Sequence, residues 1–457
     1  MSVTAGVFSI AGRIGRWTAR LFRRTWRWTV AVLLLLGVAH GVATFVLGRR
    51  VEAEIARIKA SGDPVSYADL AGPAIPASEN GALDFEKATR ILAAMPDSMH
   101  KYESPQFSPE ECAKHPEMWD DVRREMGQYS QVFSLVEKGA AKPKFRYTSD
   151  WKSGSDARFR VISRLRSLVR LLNADAEVKA HFGDMQGAAH SIELAVATSE
   201  SLKGDPLLIN MLVRVATLAI TTRNVERIAR SVPVDYASFE RISRALSRPS
   251  LQGEYVRTLK GERVYLISNF QEFRQGGFSR VLHLGQCSPM LRLRGYWLGR
   301  PWLYADELEC LRRFDARIRT GDRPYRSSLE LLYHDTPNFQ EITSLPDLLT
   351  PVYRYARARI DQADTGVRGT QLLLALQVYR SRFGVYPATL PQLAAKLNWG
   401  LSTEDPFSGR QMIYRTTGSG FLLYSIGSNL KDDGGIDWRD PRVRSASEGD
   451  IVWKMDR

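Results

Sequence analysis

The chain has 457 residues, enough for two or three domains, with 44% apolar and 25% charged residues, an ordinary globular balance. Its net charge of +14 is concentrated at the start: Arg13, Arg16, Arg20, Arg23, Arg24, Arg27, Arg49 and Arg50 fall within the first fifty residues, which hold no acid. The remainder is only mildly basic and carries no zinc-finger or RNA-recognition signature, which argues against nucleic acid as a partner, and three cysteines (Cys112, Cys287, Cys310) are too few for a disulfide framework.

Residues 1–29 read as a short arginine-rich cytoplasmic tail and residues 30–48 as a transmembrane helix. The run VAVLLLLGVAHGVATFVL contains no Asp, Glu, Lys or Arg. A helix of that length roughly matches the ~30 Å hydrocarbon core. Arginines close both ends, and Trp26 and Trp28 sit where an aromatic belt belongs. A cleaved signal peptide would have a shorter apolar region and a small-residue cleavage site, whereas this run ends at Gly48-Arg49-Arg50. Six arginines before the run, against Arg49, Arg50, Arg57 and Lys59 after it, favour a cytoplasmic N-terminus. The expectation is a single-pass membrane protein with its C-terminal bulk outside the cytoplasm.

Gly37 and Gly41 form a GxxxG pattern inside the run, and small residues at that spacing let two helices approach for self-association. Small residues are also common in such helices without that role. His40 is polar at that depth, suited either to function or to a hydrogen bond with its own helix or a neighbour.

Residues 49–83 read as a linker that opens as an amphipathic helix over 49–60 and is stopped by Gly62-Asp63-Pro64. Pro73 and Pro76 suggest an extended connector, with Ser78 and Glu79 opening the next helix. Residues 84–346 read as a mostly helical domain. Leu165, Leu168, Val169 and Leu172 recur at helical spacing, Phe182-Gly183-Asp184 interrupts them, and Ala188, Ala189, Ile192 and Ala195 resume. That order predicts an αα-hairpin. The apolar run 207–220, interrupted by Arg214, is too short to span and predicts a core helix. Between Phe270 and Tyr304, arginines alternate with Tyr296, Trp297 and Trp302, suited to anionic headgroups or glycans, or to a loop packing its aromatics on the core.

Catalytic signatures are sparse. Ser98-Met99-His100-Lys101 fits S-x-x-K without its partner motifs. His181 and His190 stand nine residues apart, not the spacing of a helical ligand pair. Glu110 and Glu111, after Ser108-Pro109, suit a helix start. The pattern names no catalytic or cofactor-binding residue and leans away from an enzyme.

Residues 347–457 predict an α+β end. A helix carries Leu372, Leu373, Leu376, Tyr379 and Phe383 on one face. Then come Gly384-Val385-Tyr386-Pro387, a turn at Leu390-Pro391-Gln392-Leu393, and Asp405-Pro406-Phe407-Ser408-Gly409. Two strands over 412–415 and 421–426 flank the hairpin signal Gly418-Ser419-Gly420. An acidic glycine loop with Asp432 and Asp433 follows, closed by Asp450-Ile451-Val452-Trp453.

This order resembles the globular domain of the major pseudopilin of type II secretion systems, over about a fifth of the chain. The departures are the lack of a prepilin-peptidase site, the lack of a glutamate in the apolar helix, and about 320 residues between that helix and the resembling segment. The resemblance implies a location outside the cytoplasm, and a calcium ion held by Asp432, Asp433 and Asp450 with carbonyls such as those of Ser428 and Asn429. Calcium takes oxygen ligands of that kind. Arg439, Arg442 and Arg444 offer the alternative of an ion-paired turn without metal. The expected class is mostly α, with a transmembrane helix, a helical middle domain and a small pseudopilin-like α+β end. The expected role is a membrane-anchored envelope scaffold or interaction protein linked to secretion, with unknown envelope proteins as partners. The alternative is an envelope hydrolase with a dispersed site in the helical domain.

Overall fold

The computed structural model describes residues 4–96, 98, 102, 112, 115–147, 155–247, 251–275, 297–328, 345–398, 400–441, 443 and 449–455. The fold is mostly helical, with one long apolar helix at the N-terminus and a small three-stranded antiparallel sheet near the C-terminus. Contacts group the chain into two compact units. One comprises Met1–Val65, Ile267–Arg312 and Glu341–Pro346, and the other Ser66–Leu266, Arg313–Gln340 and Asp347–Arg457.

In the first unit, α1 (Thr4–Ala60) is a single helix of 57 residues. Its apolar stretch reaches a mean hydropathy of 2.4 over an 18-residue window, none of it buried, and is long and apolar enough to cross a membrane. Leu35 and Phe45 are each 69% exposed. Past Gly48 the helix becomes amphipathic as expected: Val51 and Ile58 are buried while Arg57 pairs with Glu54 at 2.6 Å on the outside. Gly62, at φ 82°, turns the chain away where a side chain would strain it.

The second unit begins with α2 (Tyr67–Ala71), opened by a capping box in which Ser66 and Asp69 satisfy each other's backbone N–H. The next helix, α3 (Ala82–Ala93), starts later than the Ser78-Glu79 signal suggests. Asn80 explains the delay. Its Oδ1 accepts from Ala82 N and Arg146 N while its Nδ2 donates to Arg146 O, pinning a turn at 77–79 and a bridge to Lys144 before the helix can begin.

After α4 (Met118–Met126) and α5 (Ser130–Ala140) comes the expected αα-hairpin of α6 (Ser155–His181) and α7 (Met185–Glu200). Gly183 takes φ 82°, and Asp184 caps α7 by accepting from Gly187 N at 2.8 Å. The core between α3, α5, α6 and α7 is apolar and fully buried, with Phe85, Val132, Leu168, Val169 and Ala195 among its members.

The run 207–220 is a core helix as expected, the first half of α8 (Leu208–Ser231), with Leu208, Met211, Val215 and Leu218 buried. Arg214 is buried too and ion-pairs with Glu200 of α7 at 2.7 Å. Buried Asn224 donates to the Asn173 carbonyl at 2.9 Å, tying α8 to α6. Then follow α9 (Tyr236–Leu246), α10 (Leu251–Arg274), α11 (Arg300–Thr320) and α12 (Leu345–Phe383). On α12, Leu372, Leu373, Leu376 and Tyr379 are buried, while Phe383, its last residue, is 41% exposed.

The predicted turn at Leu390 is instead a helix, α13 (Leu390–Leu397). Thr389 caps it by accepting from Gln392 N, and Pro391 sits in the first turn, where its missing N–H costs nothing. The sheet order is β1 (Ile413–Thr417), β2 (Gly420–Ser425), β3 (Ile451–Met455), antiparallel throughout. Thr417 faces Gly420 across a two-residue loop, and Gly418 takes the positive φ (57°) that such loops need.

Candidate functional site

The acidic glycine loop lies between β2 and β3. Asp450 is fully buried, and its carboxylate accepts backbone N–H bonds from Gly435 at 2.7 Å and Asp433 at 3.4 Å. Gly434 and Gly435 take φ 74° and 84°, the left-handed turns that aim this backbone inward. Asp432 accepts from the Tyr424 hydroxyl at 3.0 Å and Gly434 N at 2.9 Å, and Asp433 accepts from Asn429 Nδ2 at 2.8 Å. Burial pushes the Asp450 carboxyl up to about 6, the nearby Asp433 and Asp432 carboxylates push the same way, and the two backbone donors hold it back. The loop therefore brings the three predicted carboxylates into one electrostatic neighbourhood. Among the described residues no three His, Cys, Asp or Glu side chains are placed to share a metal ion. The arginine alternative takes a different form from the expected one: Arg439 pairs with Asp437 at 2.7 Å and donates to the Val452 carbonyl, while Arg442 and Arg444 lie outside the described residues.

A second arrangement was not foreseen. Along the exposed side of α8, Arg223, Arg227 and Arg230 fall at i, i+4 and i+7, hence on one face. They line a concavity of about 330 Å³ together with Arg439, Lys454 and Asp437. Beside it lies a cavity of about 290 Å³, walled by Val215, Ala219, Ala363, Ile451, Trp438 and Trp453. Also beside it, past Arg227 and Arg230, lies a cavity of about 560 Å³ lined by Trp119, Ala180, His181, Ile228 and Val232. The three adjoin through shared walls: Arg223, Glu226 and Arg439 line the first pair, Arg227 and Arg230 the second.

The charges in this groove are unequal. Glu226 is buried beneath it, and its Oε1 accepts from Trp453 Nε1 at 2.7 Å and Thr370 Oγ1 at 3.1 Å. Asp437 is held by Arg439, and Arg227 is held by Glu177 at 2.5 Å. Five cations and two carboxylates line the central concavity, and of the cations Arg227 and Arg439 are already paired with Glu177 and Asp437. Trp453 is seated because residue 369 is glycine, since a Cβ there would overlap the indole. Sequence inspection missed the groove because its walls come from α4, α6, α8, α12 and residues 437–439 and 451–454. The arginine spacing on α8 was its one local signal.

The other sequence candidates are dispersed. His181 stacks on Trp119 with ring centroids 4.3 Å apart, and His190 contacts Glu137 at 3.3 Å and Arg241 at 2.6 Å. Cys112 and Cys310 are buried, and Cys287 lies outside the described residues. So do Met99, His100 and Lys101 of the S-x-x-K match, residues 108–111, and 276–296 of the basic–aromatic stretch. Gly37 and Gly41 are open on the surface of α1, with nothing within 4 Å of an added Cβ.

Comparison with family models, with curated proteins and with solved structures finds no match to this chain.

Proposed function

We propose that this chain is a membrane-anchored envelope protein that works by binding, with the α8 groove as its docking face. The groove carries the reading. A stripe of arginines between two aromatic-lined cavities complements a partner that presents acidic groups flanked by apolar ones, and aromatic and arginine side chains are the usual anchors of such interfaces. Anchoring is supported separately by α1. In water, a run of side chains such as Leu35 and Phe45 left open would be a large uncompensated apolar surface, and in a bilayer it is matched. The arginine bias around that run supports a cytoplasmic N-terminus in the inner membrane, with residues 49–457 outside.

The C-terminal end supports the pseudopilin-like reading in its order of helix, hairpin, acidic loop and closing strand, and with it a link to secretion. In this reading the loop takes calcium through Asp432, Asp433 and Asp450. The support is the buried Asp450 carboxyl beside two others, which a hard cation would relieve. The open glycines Gly37 and Gly41 support self-association of the anchor.

Photocrosslinking tests the docking face. A benzophenone amino acid placed at Arg223 or Arg230 of the full chain in native membranes is expected to trap a discrete adduct on irradiation. The same residue at Arg244, exposed on α9, serves as the control. No adduct at the groove, or equal adducts at the control, would overturn the docking role. A reporter enzyme active only outside the cytoplasm, fused after Arg457, tests the orientation. Activity from a cytoplasm-only reporter instead would reverse it.

A further inference from the structure

The first unit holds more than the helix that crosses. The His40 ring nitrogen Nε2 lies 3.2 Å from the Leu298 carbonyl, and the Tyr304 ring lies 3.4 Å from where a side chain on Gly48 would begin. These two contacts fix a register. Residues 298–304 run beside residues 40–48 of α1, in the same direction. At 1.5 Å per residue, His40 sits about 10 Å inside the end of the apolar run at Leu47. Leu298 is therefore held at the same depth.

From this we infer that the short turn Trp297–Gly299 and the start of α11 form a second membrane-embedded element, which dips into the leaflet around the C-terminal half of the α1 span and contacts its lipid. This rests on the reading of α1 as a span. Leu298 is 61% exposed and Trp302, one helical turn on, is 58% exposed. Either alone would be an ordinary surface residue. Side by side on a helix already docked against an apolar stretch that is itself exposed, they extend its apolar surface.

The local chemistry agrees with that depth. Backbone at membrane depth must satisfy its polar groups internally, and this element is helical from Trp297 onward. His40 gives the Leu298 carbonyl a partner, which accounts for a polar residue in the middle of the run. Trp302 and Tyr304 follow toward the boundary, where amphipathic rings are favoured. Arg300, exposed between Leu298 and Trp302, has a stem long enough to return its guanidinium to the headgroups. The charges that follow, Asp306 and Glu307, are buried within the protein.

The test is a depth measurement on the full chain reconstituted in phosphatidylcholine bilayers. A nitroxide is attached through an unnatural keto amino acid, independent of the native cysteines, at Leu298, Trp302, Leu36, Val42 or Arg244 in turn. Accessibility to oxygen, which concentrates in lipid, is compared with accessibility to a water-soluble nickel chelate. Positions 298 and 42 are expected to match, several-fold more oxygen-biased than 244, with 302 intermediate. If 36 and 42 are lipid-exposed but 298 and 302 resemble 244, the embedded element is refuted while the span stands. If 36 and 42 also resemble 244, the span itself is refuted and the element with it.

Discussion

Two apolar runs of this chain meet opposite fates. The run in α1 carries no charge and none of it is buried, whereas the run at the start of α8 carries Arg214 and is buried. Hydropathy alone would rank them by degree, but the structure separates them in kind. The α8 run is shorter and lies against α6 and α7, so its apolar face has protein to cover it. Arg214 is tolerated there only because Glu200 meets it with two hydrogen bonds, at 2.8 and 2.9 Å. What distinguishes a core helix from a candidate span is therefore where each run puts its charge and what answers that charge.

The largest effect should come from removing that answer. Glu200→Ala leaves Arg214 buried without a counter-ion, at a cost of about 3–5 kcal/mol. The double variant Glu200→Leu, Arg214→Met should recover most of the loss, because the unpaired charge goes as well. Urea unfolding of the full chain in a neutral detergent would measure both. A Glu200→Ala loss below about 1 kcal/mol would mean that Arg214 reaches water, and the contrast between the runs would fail. The converse change is Leu35→Arg, which introduces a charge where α1 has none. A charge at the centre of a span costs about 2.5–3.5 kcal/mol on insertion scales, so the variant should appear in alkaline extracts of the membrane while the unmodified chain stays behind. Equal retention of both proteins would argue that the α1 run does not span.

These contrasts also show what could be read from sequence. Both runs, the αα-hairpin and the β1–β2 hairpin were legible because each depends on residues within about thirty positions of one another. The start of α3 is not legible locally, because Asn80, not Ser78, sets it through bonds to Arg146 far along the chain. In sequence α13 looks like a turn, because proline at its start is as much an opening signal as a breaking one. The α8 groove was beyond local inspection. Glu226 and Trp453 are 227 positions apart, and Gly369 matters only once Trp453 lies against it. The resemblance names Asp432, Asp433 and Asp450, but nothing local in the sequence shows that Asp450 alone of the three is buried.

Glu307 extends the comparison to a buried charge that is answered incompletely. It is fully buried beside Arg274, yet burial pushes its carboxyl up to about 7, with Arg274 pulling only part of the way back. The folded state therefore holds this proton more tightly than the unfolded chain, whose carboxyl has an ordinary value near 4.5. Stability from this group is fully present below about 4.5 and is lost as pH rises through about 7, by on the order of 1–3 kcal/mol. Glu307→Gln should flatten the fall between those limits when melting is followed across pH. An unchanged profile would show that Arg274 compensates the charge in full.

Asp450 is the limiting case, a buried carboxyl with no cation set against it among its described contacts and with two other carboxylates nearby. Its folded value is raised from 3.8 to about 6 by burial first and by Asp433 and Asp432 after. The sign is the same as for Glu307: without metal, the loop's contribution falls as pH climbs from about 4 to about 6 and stays low above that. A calcium ion would reverse this, because it binds the ionised carboxylates and competes with the proton. Calcium should thus raise the melting midpoint of the full chain at pH 7.5, by an amount equivalent to about 1.4 kcal/mol at ten times its dissociation constant. At pH 5, where Asp450 is mostly protonated, the same concentration should do much less. Asp450→Asn should remove both the calcium response and this part of the pH dependence. Arg439→Gln should leave the response intact, because Arg439 is engaged by Asp437 and Val452 rather than by the three aspartates. Equal midpoints with calcium and with chelator at pH 7.5 would leave Asp450 as a buried acid held by Gly435 and Asp433 alone, and the calcium reading would be abandoned.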